Sequence, residues 1–271
     1  MTDKRLAEAA QKPGPRKRTE LKTLIYKRVM RKLTESWEAD DNHPYLRDNA
    51  VRSHDLSVDA QGNLLAVAVD LKASFTPTGY IPKAQTMLTI TPYGVSRLEK
   101  WAVSFGAAVM IGHQEFRQIA KMPGDNHVIF VAEDYATGAF LHESFDAPVA
   151  VALRPSTVKS VVRILRAKFP KARIIVCLNS PEGREKIRQR TARDAEKYGA
   201  IVLFPEFSRR ERENGLISFN DRAMFTRPGS VQEAIIGQVQ KCVERLRLQE
   251  LEREKELQRL CGNCETQLAA A

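Results

Sequence analysis

The chain has 271 residues, 43% of them hydrophobic, which is enough to bury a core and fits one or two domains. Its 43 lysines and arginines outnumber 33 acidic residues, and a net charge of +10 favours polyanionic partners, nucleic acid first and acidic membranes second. No apolar run approaches the about 18 residues of a membrane span, and no apolar signal segment opens the chain. We therefore expect a cytoplasmic protein without a membrane partner.

Residues 1–40 predict a basic N-terminal arm followed by a helix. Pro13-Gly14-Pro15 interrupts any earlier helix, and an apolar stripe then predicts one from Thr19 to about Trp37. The stripe consists of Leu21, Leu24, Ile25, Val29 and Leu33. Basic side chains outside it are candidates for contacts with phosphates: Arg16, Lys17, Arg18, Lys27, Arg28, Arg31 and Lys32. The alternative is a solvated tail leading into a helix that docks on the rest of the protein.

Residues 41–125 predict a small β-rich lobe. Leu56–Val69 is typical of a hairpin that turns at or near Gln61-Gly62-Asn63. A second pair of strands is predicted within Gly79–Ile90, followed by a turn at Thr91–Gly94. The apolar run Ala107–Ile111 predicts a further strand.

Residues 126–228 predict an α/β domain. Short apolar runs alternate with helical segments, a pattern typical of parallel strands that are buried on both faces. The runs are His127–Ala132, Pro148–Leu153, Arg173–Leu178 and Ala200–Phe204. Because the carboxyl ends of parallel strands meet at one edge, where α/β sheets place their sites, we expect Glu133, Asp134, Arg154, Asn179 and Ser180 to lie together.

The last predicted strand precedes an arginine-rich loop, Ser208–Gly215, whose Arg209, Arg210 and Arg212 are further candidates for nucleic-acid binding. Residues 229–271 then predict a C-terminal helix and tail. The apolar face of this helix suggests self-association. Cys261 and Cys264 form a single Cys-x-x-Cys without a second pair, so zinc could bind only as a clasp between two copies.

Four segments carry a resemblance to a known family. They are His43-Pro44-Tyr45-Leu46, the hairpin around Gly62–Leu65, the block Phe105–Gly112, and Glu133-Asp-Tyr-Ala-Thr-Gly138. In this order, over roughly residues 40–228, they resemble the Toprim-containing region of primases carried by plasmids, phages and integrative elements. The resemblance implies a Toprim-like parallel sheet flanked by helices. It also implies that Glu133 matches the glutamate ending the family's first strand, and that Asn220-Asp221 matches a later Asn-Asp pair.

The chain departs from this family at two places. Asp134 stands where the family usually has glycine, and Leu178-Asn179-Ser180 stands where its Asp-x-Asp motif would fall. Mg²⁺ prefers hard oxygen ligands, and two-metal phosphoryl transfer needs acidic residues to offset closely spaced cations. We therefore expect no bound metal or other cofactor and no metal-dependent catalysis.

Glu133 then has two structural interpretations. It could cap the helix that follows it by accepting backbone N–H groups. It could also pair with Arg154, whose guanidinium would take the place of an absent cation.

These observations predict a nucleic-acid-binding protein of a mobile genetic element, with a degenerate Toprim-like fold. It would hold DNA or RNA, beside a partner protein, in plasmid or phage DNA replication or transfer. The alternative is an active magnesium- or manganese-dependent primase or nuclease in which Glu133, Asp134 and Asp221 form the catalytic site.

Overall fold

The computed structural model describes residues 15–99, 104–122, 127–245 and 248, with side chains from residue 19 onward. The chain divides into two units, Met1–Val231 and Gln232–Ala271. Residues 228–245 are helical, as the apolar pattern predicts. No helix in the described ranges is long and apolar enough to cross a membrane.

The first unit contains the strands and most of the helices. Its strands are β1 Trp37–Glu38, β2 Ser57–Val58, β3 Leu64–Asp70, β4 Phe75–Thr76, β5 Gly79–Tyr80, β6 Ala84–Ile90, β7 Ser96–Leu98, β8 Ala107–Ile111, β9 Val128–Ala132, β10 Val149–Ala152, β11 Arg173–Cys177 and β12 Ile201–Leu203. Its helices are α1 Pro15–Thr34, α2 Pro44–Asp48, α3 Leu71–Ser74, α4 His113–Lys121, α5 Tyr135–Phe145, α6 Pro155–Lys168, α7 Glu185–Glu196, α8 Arg209–Glu213 and α9 Phe219–Phe225.

Ten of these strands form one mixed sheet, in the order β1-β2-β3-β8-β10-β9-β11-β12, with β6 beside β3 and β7 beside β6. Strands β10, β9, β11 and β12 are mutually parallel, whereas the other pairings are antiparallel. The predicted parallel, helix-flanked sheet is therefore confirmed. Strands from both sides of the predicted boundary at 125–126 belong to this single sheet.

Strand β8 connects the two halves of the sheet. It pairs antiparallel with β3, with Val109 opposite Ala68, and antiparallel with β10, with Ile111 opposite Val149. All of its side chains are buried. Its continuous apolar sequence is explained by this central position, because both faces of the strand are covered.

Helices α5 and α6 cover opposite faces of the parallel strands. Val158, Val161 and Leu165 of α6 belong to one core cluster with alternate residues of the strands, such as Ile129 and Val131. Helix α5 packs on the other face, where Gly138 approaches Val149, Val151 and Ile111. Because parallel strands alternate with helices along the chain, the carboxyl ends of β9, β10 and β11 lie at the same edge of the sheet.

Two local predictions were wrong. The range Gly79–Ile90 does not form a strand pair of its own, because β5 pairs with β4 across a two-residue turn while β6 pairs with β3 and β7. The range Ser208–Gly215 is not a plain loop, because it contains helix α8. The Ser208 hydroxyl accepts the Glu211 N–H and the Glu211 carboxylate accepts the Ser208 N–H, and this capping box starts the helix.

Helix α1 docks on the antiparallel half of the sheet through its predicted stripe. Leu21, Ile25 and Val29 are buried against Leu65 and Met87, and Leu24 and Leu33 pack beside them. The docked helix is thus the alternative that the structure supports for residues 19–34.

Candidate anion-binding site at the carboxyl edge

Glu133 and Asn179 link the ends of two neighbouring strands. Glu133 follows β9, and its Oε2 accepts a hydrogen bond of 2.6 Å from the backbone N–H of Asn179, which lies just beyond β11. Burial raises the pKa of the Glu133 carboxyl to about 7, and the negative charge of Asp134 acts in the same direction. The hydrogen bond from Asn179 and the positive charge of Arg184 oppose this rise.

The residue that caps helix α5 is Asp134 and not Glu133. Its Oδ1 accepts the backbone N–H of Thr137 at 2.8 Å, and its Oδ2 accepts the Thr137 hydroxyl at 2.8 Å. The side-chain amide of Asn179 donates a further hydrogen bond to Oδ2 at 2.9 Å. The expectation that Glu133 caps the helix is therefore wrong, because the next residue has the geometry of the cap.

Asp221 stabilises the turn before α9, and Asn220 ties α9 to Asn49. Oδ2 of Asp221 accepts the backbone N–H groups of Ile217 at 2.9 Å and of Ser218 at 2.8 Å, and the Asp221 N–H donates to the Ser218 hydroxyl. Asn220 is buried, and its amide donates to the backbone carbonyl of Asn49 at 3.2 Å. Both residues thus have partners that account for them structurally.

These groups do not fit a divalent metal centre. In the described part of the chain, no three His, Cys, Asp or Glu side chains are grouped closely enough to hold a metal ion. Glu133, Asp134 and Asp221 all accept hydrogen bonds from protein N–H groups. The amide of Asn179 directs a donor toward Asp134, and only its neutral Oδ1, buried without a hydrogen-bond partner, could serve as a ligand. Such a set offers Mg²⁺ fewer free carboxylate oxygens than it prefers.

The same edge carries a cavity lined by three arginines. The cavity has a volume of about 550 Å³, and its basic residues are Arg154, Arg184 and Arg188. The remainder of its wall is formed by Glu133, Leu153, Pro155, Asn179, Pro181, Glu182, Ile187 and Ile217. We call it the arginine cavity. It is the clearest positively charged feature at the carboxyl ends of the parallel strands.

Arg154 and Arg184 directly precede helices α6 and α7. Both side chains are exposed, and within the described residues neither guanidinium makes an ion pair or a hydrogen bond. The expected pairing of Arg154 with Glu133 is therefore wrong. The positive charge that partly opposes the rise in the pKa of Glu133 is that of Arg184.

Arg188 is held in a defined orientation. Its Nη1 donates to the Ser180 hydroxyl at 2.5 Å, and its guanidinium lies 4.8 Å from the centre of the Phe204 ring.

The sequence-based prediction missed Arg184 and Arg188. Their signal was available, because Arg184 follows the Pro181-Glu182-Gly183 turn after β11 and Arg188 lies one helical turn further on the same face.

Two further cavities lie beside the arginine cavity. One, of about 530 Å³, shares Glu182, Arg188 and Ile217 with it and also includes Arg212. The other, of about 520 Å³, also includes Ile217 and is lined by Asp221, Met224 and Phe225 among others. Because Ile217 contributes to all three, the cavities form adjacent segments of one edge, which we call the carboxyl-edge groove.

The candidate basic residues of α1 are largely engaged in ion pairs. Arg28 Nε and Lys32 Nζ contact the two carboxylate oxygens of Glu99, at 2.8 Å and 2.6 Å, and the Glu99 side chain is only 3% exposed. Arg31 pairs with Glu35 at 3.5 Å, and Lys27 is exposed. The side chains of Arg16, Lys17 and Arg18 lie outside the described residues.

The three arginines of α8 are all exposed but differ in surroundings. Arg209 pairs with Glu213 at 2.8 Å, and Arg210 lies 5.6 Å above the Phe225 ring. Arg212 lines the second cavity of the carboxyl-edge groove. Cys261 and Cys264, with most of the segment expected to self-associate, lie outside the described residues.

No protein-family model matches the sequence, and no curated protein matches it either. Among solved structures, the primase fragment of the bacteriophage T7 primase-helicase is similar at 12% identity and a TM-score of 0.41, over 65% of this chain and 62% of the fragment. This chain thus spans less than two thirds of that fragment. A chain in the structure of the bacteriophage T7 lagging-strand DNA polymerase with primase domains is similar at 13% identity and a TM-score of 0.39, over 70% of this chain and 90% of that one.

The DnaG primase catalytic domain bound to single-stranded DNA is similar at 11% identity and a TM-score of 0.37, over 84% of this chain and 81% of that chain. These likenesses concern the backbone, so the function has to be argued from the residues at the carboxyl edge.

Proposed function

We propose that the protein binds nucleic acid through its phosphates along the carboxyl-edge groove, and that it does so without a catalytic metal. The observation that carries this proposal is the arginine cavity, where three arginines line one space beside Glu133, whose carboxylate accepts the Asn179 N–H. Arginine presents a planar array of donors that matches phosphate oxygens and keeps its charge at any physiological pH. The net charge of +10 supports the same partner class.

The remainder of the groove offers a surface for base stacking rather than further positive charge. The second cavity adds Arg212 together with Glu182, Glu185 and Glu213, and the third adds Phe225, with Arg210 above its ring, beside Asp48 and Asp221. Aromatic rings and guanidinium planes are the groups on which unstacked bases pack. Single-stranded nucleic acid is therefore the form that we expect to bind best.

The biological setting follows from the sequence resemblance. We propose a role in the DNA replication or transfer of a plasmid or phage, beside a partner protein that provides any catalysis.

The alternative is a metal-dependent primase or nuclease that uses Glu133, Asp134 and Asp221. It is favoured by one observation, the proximity of Glu133 and Asp134, and it requires their present hydrogen bonds to be exchanged for metal ligands.

The test is fluorescence anisotropy with labelled single-stranded DNA, duplex DNA and RNA, over about 50 to 200 mM salt. The double variant Arg154→Ala/Arg184→Ala should weaken binding and reduce the salt slope by about 1 to 2. Its matched control is Arg163→Ala/Arg190→Ala, which removes two exposed arginines from within helices α6 and α7, outside the cavity wall.

Salt-insensitive binding, or equal slopes for the two double variants, would refute the proposal. The same samples should be assayed with Mg²⁺ and Mn²⁺ for synthesis and cleavage. Metal-dependent activity that disappears in Glu133→Ala would establish the alternative.

A further inference from the structure

The arginine cavity has features that a groove for internal phosphates does not require. We infer that it is a site for a phosphate monoester, the terminal phosphate of a nucleic-acid strand, and that it holds this group without a divalent cation. The inference rests on the proposed function and specifies which part of the nucleic acid the cavity recognises.

The first support is the number of cations that reach one small space. Arg154 lies at the start of α6, Arg184 at the start of α7 and Arg188 one turn into α7, and all three line the cavity. Arg188 is fixed by Ser180 and Phe204, whereas Arg154 and Arg184 keep their guanidinium donors free of other described partners. A terminal phosphate has three free oxygens available to such donors, whereas an internal diester has two.

The second support is charge balance. The three guanidinium groups face two carboxyl groups, those of Glu182 and Glu133. One oxygen of the Glu133 carboxyl group, Oε2, is already engaged by the backbone N–H of Asn179. The cavity therefore keeps a net positive charge, which attracts a phosphate monoester of charge about −1.5 to −2 more strongly than a diester of charge −1.

The third support is the shape of the wall. Pro155, Pro181, Leu153 and Ile187 form an apolar lining beside the arginines. A volume of about 550 Å³ lies within the range of small-ligand pockets and fits a nucleotide-sized group rather than several nucleotides. Helices α6 and α7 both begin at this wall, and their free backbone N–H groups add to the positive potential.

The experiment compares oligonucleotides of one sequence that differ only at their ends. Single strands with a 5′-phosphate, a 3′-phosphate or hydroxyl groups at both ends are titrated by anisotropy against the full chain, in EDTA and in Mg²⁺. We expect one phosphorylated strand to bind about tenfold more tightly than the hydroxyl strand, with or without Mg²⁺. Arg154→Gln/Arg184→Gln should abolish this difference, whereas Arg163→Gln/Arg190→Gln should keep it.

A nucleoside monophosphate serves as a competitor to separate two sources of the same chemistry. Competition that depends on Arg154 and Arg184, without a preference for phosphorylated strand ends, would assign the monoester site to a free nucleotide. Equal affinity for all three strands together with no competition would overturn the inference while leaving the proposed function standing. A preference for the phosphorylated end that disappears in EDTA would overturn its metal independence. Absence of binding to every strand would refute the proposed function itself.

Discussion

The backbone N–H of Asn179 donates a 2.6 Å hydrogen bond to Oε2 of Glu133 and so joins the carboxyl ends of β11 and β9. Although this bond favours the charged carboxylate, burial has the larger effect and raises the pKa of Glu133 to about 7. The folded protein therefore carries, at the centre of its candidate site, a carboxyl group whose ionisation costs stability near neutral pH.

Glu133→Gln should change the pH dependence of stability. The folded-state pKa of about 7 exceeds the ordinary value of 4.5, so the folded protein retains a proton that the unfolded chain loses between these values. The free energy of unfolding should therefore fall as pH rises through this window, by about 3 kcal/mol from Glu133 alone. Glutamine does not titrate, and its carbonyl can still accept the Asn179 N–H. The fall should thus be smaller by that amount in the variant.

Urea unfolding at about pH 5 and pH 8 measures this difference. Glu182→Gln, which neutralises an exposed carboxylate in the wall of the same cavity, is the control and should keep the wild-type pH dependence. An unchanged pH dependence in Glu133→Gln would contradict the prediction.

Asn179→Asp tests the metal question directly. The amide of Asn179 donates to Oδ2 of Asp134, and replacing it would place three carboxyl groups together without that donor. We expect a loss of about 2 kcal/mol in unfolding free energy in EDTA, and partial recovery in Mn²⁺ because the ion would bind the folded state. The wild-type protein should not respond to Mn²⁺.

The matched control is Asn63→Asp, because the Asn63 amide also donates to an aspartate, Asp59, in the hairpin turn between β2 and β3. It should lose stability without recovering it in Mn²⁺. Stabilisation of the wild-type protein by Mn²⁺ would instead indicate that the natural residues hold the ion.

Glu99→Ala should loosen helix α1. The Glu99 carboxylate is almost fully buried between Arg28 and Lys32, so its removal takes a buried negative charge away from both cations. We expect a loss of about 2 kcal/mol, together with faster amide hydrogen exchange in α1. Glu35→Ala removes an exposed partner of Arg31 from the same helix surface and should cost less than about 0.5 kcal/mol. Equal effects of the two substitutions would show that Glu99 does not anchor the helix.

Gly138→Ala should destabilise the α/β half of the sheet. A Cβ at this position would lie 2.6 Å from Val151 Cγ2 and 3.2 Å from Ile111 Cδ1, so helix α5 would have to move away from the sheet. Overpacking of this kind costs about 1 to 3 kcal/mol. Gly237→Ala is the control, since that glycine is also helical and a Cβ there meets nothing within 4 Å. It should be neutral or stabilising, and a neutral Gly138→Ala would contradict the packing argument.

Most of the α/β elements could be predicted because their sequence period reflects their own burial. Val128–Ala132 and Arg173–Cys177 are continuous apolar runs, and helix α6 carries its apolar positions at helical spacing. The turn at Gly62 was predictable for a different reason, because its φ of +75° suits glycine. The pairing partners of β5 and β6 were not predictable, since nothing within Gly79–Ile90 records which distant strand each segment meets.

The site was predictable in position but not in composition. Strand ends predicted where Glu133, Asp134, Arg154 and Asn179 would gather, because parallel topology fixes the edge. The sequence did not show that Asp134 caps α5 while Glu133 accepts the Asn179 N–H, because Asn179 is distant in the chain from both. The burial of Glu99 between Arg28 and Lys32 could likewise not be predicted from the sequence. Glu99 is distant in the chain from both residues and meets them only because α1 docks on the sheet.

The position of β8 in the sheet determines how far the protein can be shortened from its N-terminus. If the chain were expressed from residue 126 onward, β10 would lose the neighbour that now receives the hydrogen bonds of Val149–Ala152. An apolar strand with an open row of amides is a template for edge-to-edge association. The four parallel strands therefore depend on β8, and β8 in turn depends on β3, so a shortened protein would have to begin upstream of Leu64.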